Sequence, residues 1–106
     1  MTIHRVTSFI IPKEEDVDFL LAQYQVLGKV ALRNGQPYIL EVVAGKAFPD
    51  ERSRGYTLIA KTTFRNLEDM SFYDKECEAH KHFKALAAPR RTGDILTVYF
   101  EDVVAA

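Results

Sequence analysis

The chain has one cysteine, Cys77, so no disulfide can form within it, and that usage fits a reducing compartment. It also lacks an excess of either charge: 14 basic and 15 acidic residues leave a net charge of −1. This excludes the electrostatic footprint of a nucleic-acid binder and the polybasic patch of a membrane-surface protein. The short run Pro89-Arg90-Arg91 reads as a solvated loop. No apolar stretch approaches the roughly 18 residues needed to span a bilayer. The opening Met1-Thr2-Ile3-His4-Arg5-Val6 has no signal-peptide layout. Repeats, low-complexity segments and linkers are missing as well. A cytoplasmic protein with neither a nucleic-acid nor a membrane partner is expected.

What is present is core material. Apolar residues make up 47% of 106 residues, enough for one domain over 1–106 but a small one, for which self-association adds stability. Ile3 to Ile11, rich in β-branched and aromatic residues and stopped by Pro12, predicts a strand. Its alternation puts His4, Val6, Ser8 and Ile10 on one face and Ile3, Arg5, Thr7, Phe9 and Ile11 on the other. Acidic Glu14, Glu15 and Asp16, then Val17, Leu20, Leu21, Tyr24 and Leu27 at helical spacing, predict a helix over Glu14–Val30. Strands follow at Tyr38–Val43 and Tyr56–Phe64, with a polar loop between them. A second helix, capped by Asn66 with Asp69 completing a weak capping box, is expected from Leu67 to about Ala88, with Cys77 marking where it can break. Ile95–Val103 is the last strand. The order βαββαβ is that of an α+β, ferredoxin-like domain: a four-stranded antiparallel sheet with two helices on one face.

The strands do not alternate as a sheet with one wet face should. Phe9-Ile10-Ile11, Tyr38-Ile39-Leu40, Leu58-Ile59-Ala60 and Val98-Tyr99-Phe100 put apolar groups on both sides. Two helices cover one side. The other needs a cover, and a second copy supplies it: a homodimer joined through its sheet faces, for which about 800 Å² per subunit suffices.

The residues with chemistry to offer lie between Tyr73 and His80. On an unbroken helix seven residues bring a phenol and an imidazole to nearly the same face. His82 points elsewhere and reads as surface; two residues from His80, it lacks the spacing of a helical metal pair. Glu76 reads as a solvated carboxylate, Cys77 as a buried structural thiol, and Arg52 and Arg54 as solvated loop charges, while Gly55 serves the backbone at a loop-to-strand junction.

Ile3-His4-Arg5-Val6 at the start, Arg52-Ser53-Arg54-Gly55-Tyr56-Thr57 opening a strand, and Phe64-Arg65-Asn66-Leu67-Glu68-Asp69 leading to Tyr73 and Ala79-His80-Lys81 together resemble the stress-responsive A/B barrel domain family. The Tyr-Asp-x-x-Cys-x-Ala-His form is similar to its fungal branch. The resemblance implies a dimeric α+β barrel, and it implies a pocket between sheet and helices of the kind that polyketide cyclases in the family use for aldol closure. By motif, Tyr73 and His80 match the assisting tyrosine and histidine, His4 a first-strand histidine lining the pocket, and Tyr24 a pocket tyrosine with Leu20 and Leu21 in the apolar wall. Val6, Ser8 and Phe83 complete the expected lining. The chain departs from the cyclases in a Tyr73–His80 segment one residue longer and in Glu78 where they carry proline.

In that setting His80 would accept a proton between two carbonyls of a poly-β-ketone, Tyr73 or Tyr24 would donate to the ketone, and neither metal nor cofactor is needed. Three readings stay open. One is a barrel binding an apolar or polyketide-like small molecule, in the manner of a stress-response protein. A second is a cofactor-independent cyclase or lyase with His80 and Tyr73 as catalytic residues. The third is a non-catalytic structural dimer.

Overall fold

Strict alternation governs the first strand, β1 (Ile3–Ile10): Ile3, Arg5, Thr7 and Phe9 are buried and the residues between them only half so. The structure, a computed structural model, describes residues 2–106; Met1 lies outside them. After β1 come α1 (Glu14–Val30), β2 (Ile39–Lys46), a single 3-10 turn at Glu51–Ser53, β3 (Leu58–Phe64), α2 (Leu67–Lys75), α3 (Glu78–Ala87) and β4 (Thr92–Glu101). The sheet order is β2-β3-β1-β4, antiparallel throughout, which is the ferredoxin-like arrangement.

Local chemistry sets the boundaries. Three acidic residues open α1 and Lys29 closes it, each favourable to the helix dipole, while Val17, Leu20, Tyr24 and Leu27 bury one stripe. Asn34 and Gly35 both take positive φ, and Arg33 and Gln36 exchange backbone bonds across them, the geometry of a tight hairpin turn. At α2 the Asn66 side chain accepts from the Asp69 N–H, but the Asp69 carboxylate does not reach back to complete the box. It binds Arg33 at 2.6 Å instead, tying the turn after α1 to α2. Gly93 takes a φ of +65°, where a side chain would be strained; a Cβ there would also press on the flexible end of Ile10, 3.0 Å from Cδ1.

The second helical region is two helices, because the backbone breaks at Glu76-Cys77. The strands run to Lys46 in β2, start at Leu58 in β3, and span Thr92 to Glu101 in β4. No helix among the described residues is long and apolar enough to cross a membrane.

The register sorts the two sheet faces. Toward the helices point Phe9, Leu58, Ala60, Thr62 and Phe64, which with Leu20, Tyr24 and Tyr73 form the core. The opposite face carries His4, Val6, Ser8, Ile59, Lys61 and Thr63, with Val43, Leu96, Val98 and Phe100 each about half exposed. The Lys61–Glu41 pair, at 3.2 Å, lies toward the β2 side of this face.

Candidate functional site

The end of α2 explains where His80 sits. Both Glu76 N and Cys77 N bond to Phe72 O, at 2.8 and 2.9 Å, so the Tyr73 carbonyl loses the donor that a continuing helix would bring. His80, in the first turn of α3, supplies one: its Nδ1–H donates to Tyr73 O at 2.8 Å. That bond fixes the tautomer and leaves Nε2 as the acceptor. The rings of Tyr73 and His80 stack at 3.7 Å and 11°. With the helix broken between them, the two side chains are still brought together.

β1 presents Arg5 to this pair, not His4. The Arg5 guanidinium lies 5.2 Å from the Tyr73 ring centre, donates to Thr7 Oγ1 at 2.6 Å and pairs with Asp74 at 2.9 Å. Tyr24, Leu20 and Phe83 lie on the same side, Tyr24 against Phe83 with ring centres 4.1 Å apart, and Leu21 packs at the core margin. His4, Val6 and Ser8 face the other way, which corrects the expectation that they share a lining with His80. His4 stacks on Phe100 and meets Asp102 at 2.6 Å and Thr63 at 3.4 Å. His82 and Glu76 are exposed. Cys77 is buried, its thiol beside the Tyr38 hydroxyl without completing a bond of good geometry.

Four buried side-chain polar atoms among the described residues have no partner: Arg5 Nε, Thr62 Oγ1, Tyr73 Oη and Tyr38 Oη. The first three belong to neighbouring residues: Thr62 is the register partner of Arg5 on β3, and the Tyr73 ring centre lies 5.2 Å from the Arg5 guanidinium carbon. Neither Tyr73 nor His80 lines the two clefts that open nearby; both rings are buried in the core. One of about 600 Å³ opens between α1 and β2, with Leu21, Tyr24 and Val42 in its wall. Another of about 320 Å³ opens between α2 and β4.

Burial dominates the electrostatics. It holds the Tyr73 and Tyr24 phenols well above the usual tyrosine range, so both remain donors at any working pH. It also pulls the His80 imidazole down to about 4, with the bond to Tyr73 opposing and the nearby Arg5 charge assisting. The unfolded chain would protonate this residue near 6.5, so below that pH the unfolded state binds the extra proton. The His80 contribution is therefore complete above about pH 6.5 and is lost as pH falls toward 4, on the order of 3 kcal/mol in all. Urea unfolding at pH 7 and pH 4.5 is expected to show this loss in the native chain and a smaller one in His80→Asn, whose amide can still donate to Tyr73 O. Equal pH dependence in the two proteins would contradict it.

Residues 3–102 match the stress responsive A/B barrel domain, and the chain belongs to that family. The Fusaristatin A biosynthesis cluster protein of Gibberella zeae is 41% identical over 99 residues, 93% of this chain and 72% of that one. Among solved structures, the hydroxynitrile lyase of Passiflora edulis superimposes with a TM-score of 0.77 at 15% identity, over 99% of this chain and 97% of that one. A dimeric ferredoxin-like protein of unknown function from Thermobifida fusca does so with a TM-score of 0.75 at 16% identity, over 94% and 90%. At these identities the structural likenesses speak for the fold.

Proposed function

We propose that this protein is a homodimeric barrel that binds a small molecule between its sheet and helices, with Tyr73 and His80 at the inner end of the site. The observation that carries the reading is the set of unpartnered donors buried beneath the helices at Arg5, Thr62 and Tyr73. Each such group costs roughly 1–3 kcal/mol unless something bonds to it, and an oxygen-bearing ligand would do so. The exposed apolar side of the sheet supports the dimer, as does the dimeric Thermobifida fusca structure of the same fold.

Titration with nonane-2,4-dione, a β-diketone with an alkyl tail, tests the reading. Tyr73→Phe keeps the ring and removes the hydroxyl. It is expected to weaken binding by about tenfold, one hydrogen bond's worth, without destabilising the fold. Unchanged affinity in Tyr73→Phe, or no binding by the native protein, would refute it.

The biosynthetic-cluster relative favours an enzymatic second reading, and the family resemblance suggests its form, proton transfer on a polyketide-like substrate. His80 is neutral at pH 7 with Nε2 free to accept, although a group titrating near 4 is a weak base. Deuterium exchange at the central carbon of the diketone, followed by NMR, separates the two. Exchange lost in His80→Ala with binding retained indicates chemistry, and exchange no faster than in buffer indicates binding alone.

A further inference from the structure

The helices leave β4 bare on the side where they cover the other strands. Ile95 and Tyr99 of that side are 42% and 58% exposed. The cleft of about 320 Å³ runs between this bare strand and α2, lined by Leu67, Met70, Ser71, Asp74, Lys75 and Tyr99. Its floor residue Tyr99 is the β4 register partner of Arg5, and its wall residue Asp74 is the carboxylate paired with Arg5. The cleft therefore leads to the guanidinium, with Asp74 standing between.

The groups waiting there are donors. Arg5, 9% exposed, has Nη1 on Thr7 and Nη2 on Asp74, and Nε without a partner. Thr62 Oγ1 and Tyr73 Oη, on the residues neighbouring Arg5, have none either. A guanidinium only donates, and the two hydroxyls are free to donate as well. The complement of such a set is an oxygen that accepts several hydrogen bonds and carries negative charge. The Asp74 side chain is 35% exposed, so it can yield its place to a competing anion and go to water. Leu67, Met70 and Tyr99 offer the cleft an apolar wall, and Lys75 puts a positive charge in it.

Resting on the small-molecule reading above, we infer that the α2–β4 cleft is the mouth of the site and that Arg5 is its specificity-determining residue. It selects small amphipathic molecules with an anionic oxygen head, a carboxylate or an enolate, whose apolar body lies along Leu67, Met70 and Tyr99. Asp74 is the internal counter-ion that this head replaces.

Sodium octanoate and methyl octanoate, equal in chain and different in charge, are the probes, titrated calorimetrically into the full chain at pH 7. Octanoate is expected to bind at least tenfold more tightly than the ester, about what one charge-assisted pair supplies. Arg5→Gln is expected to bring the two within about twofold by weakening octanoate alone. Asp74→Asn, which keeps Arg5 and removes its competitor, is expected to strengthen octanoate several-fold and leave the ester unchanged. This second variant decides the matter if Arg5→Gln does not fold. Acid and ester binding equally to the native protein overturns the anion assignment while sparing the small-molecule reading. An Asp74→Asn protein with octanoate affinity unchanged overturns it also. Binding of neither probe counts against both.

Discussion

Val98→Asp is expected to leave a folded monomer where the native chain is expected to dimerise. Val98 lies in the middle of β4 opposite Val6, with Leu96 and Phe100 on the same face two residues to either side. It is 51% exposed in the single chain, so a carboxylate there stays solvated and the fold survives. In a two-fold dimer the same patch meets itself, so one substitution brings two carboxylates to the interface. Removing an unpaired charge from water costs several kcal/mol, and two such charges would weaken the dimer by at least about a thousandfold. Sedimentation at micromolar concentration reads the result directly. A Val98→Asp protein that stays dimeric would move the interface to another surface.

The second large effect is on stability. Phe64 closes β3, fully buried, where it pairs with Ile3 and Ile39 and packs its ring 5.3 Å from Tyr73 and 6.2 Å from Tyr38. Phe64→Ala removes most of that side chain from a site walled by β1, β2 and α2, none of which can close the gap without breaking its own pairing. The expected cost is about 3–5 kcal/mol, a large share of the roughly 5–15 kcal/mol that holds a domain of this size together. Denaturant unfolding should show the midpoint falling sharply. Because Phe64 also backs Tyr73, the Tyr73–His80 stack is expected to loosen, visible as a His80 titration moved back toward 6.5. A cost under about 1 kcal/mol would mean that the core is not packed as described.

Much of this architecture was legible in the sequence. The bounds of α1, Glu14 to Val30, follow from three acidic residues ahead of an apolar stripe at helical spacing. The two-sided apolar strands pointed to a covered outer face, and the element order with the family motifs pointed to the barrel. The side of β1 that faces the helices was not legible. Both alternating sets mix apolar and polar residues, and His4 draws attention as a titratable group, whereas no role was read for Arg5. The packing of Ile3 and Phe9 into the core decides it, and that carries Arg5 inward to Asp74 and Tyr73. Nor does hydrophobic spacing show that the Tyr73 carbonyl is left open. That depends on Cys77 N turning back to Phe72 O, a backbone event with only a weak signal in Glu78 standing where the cyclases carry proline. The clue available was Thr62 and Thr7, hydroxyls on the apolar side of their strands, which mark a polar spot under the helices.

The account turns on the division of labour between the two sides of the sheet, one for a second copy and one for a guest. Sedimentation equilibrium of the native chain over a wide concentration range tests it most directly. A mass of twice the 12.1 kDa chain, held down to low micromolar concentration, is the expected result. A mass of 12.1 kDa at every concentration would leave Val43, Leu96, Val98 and Phe100 facing water and would contradict it.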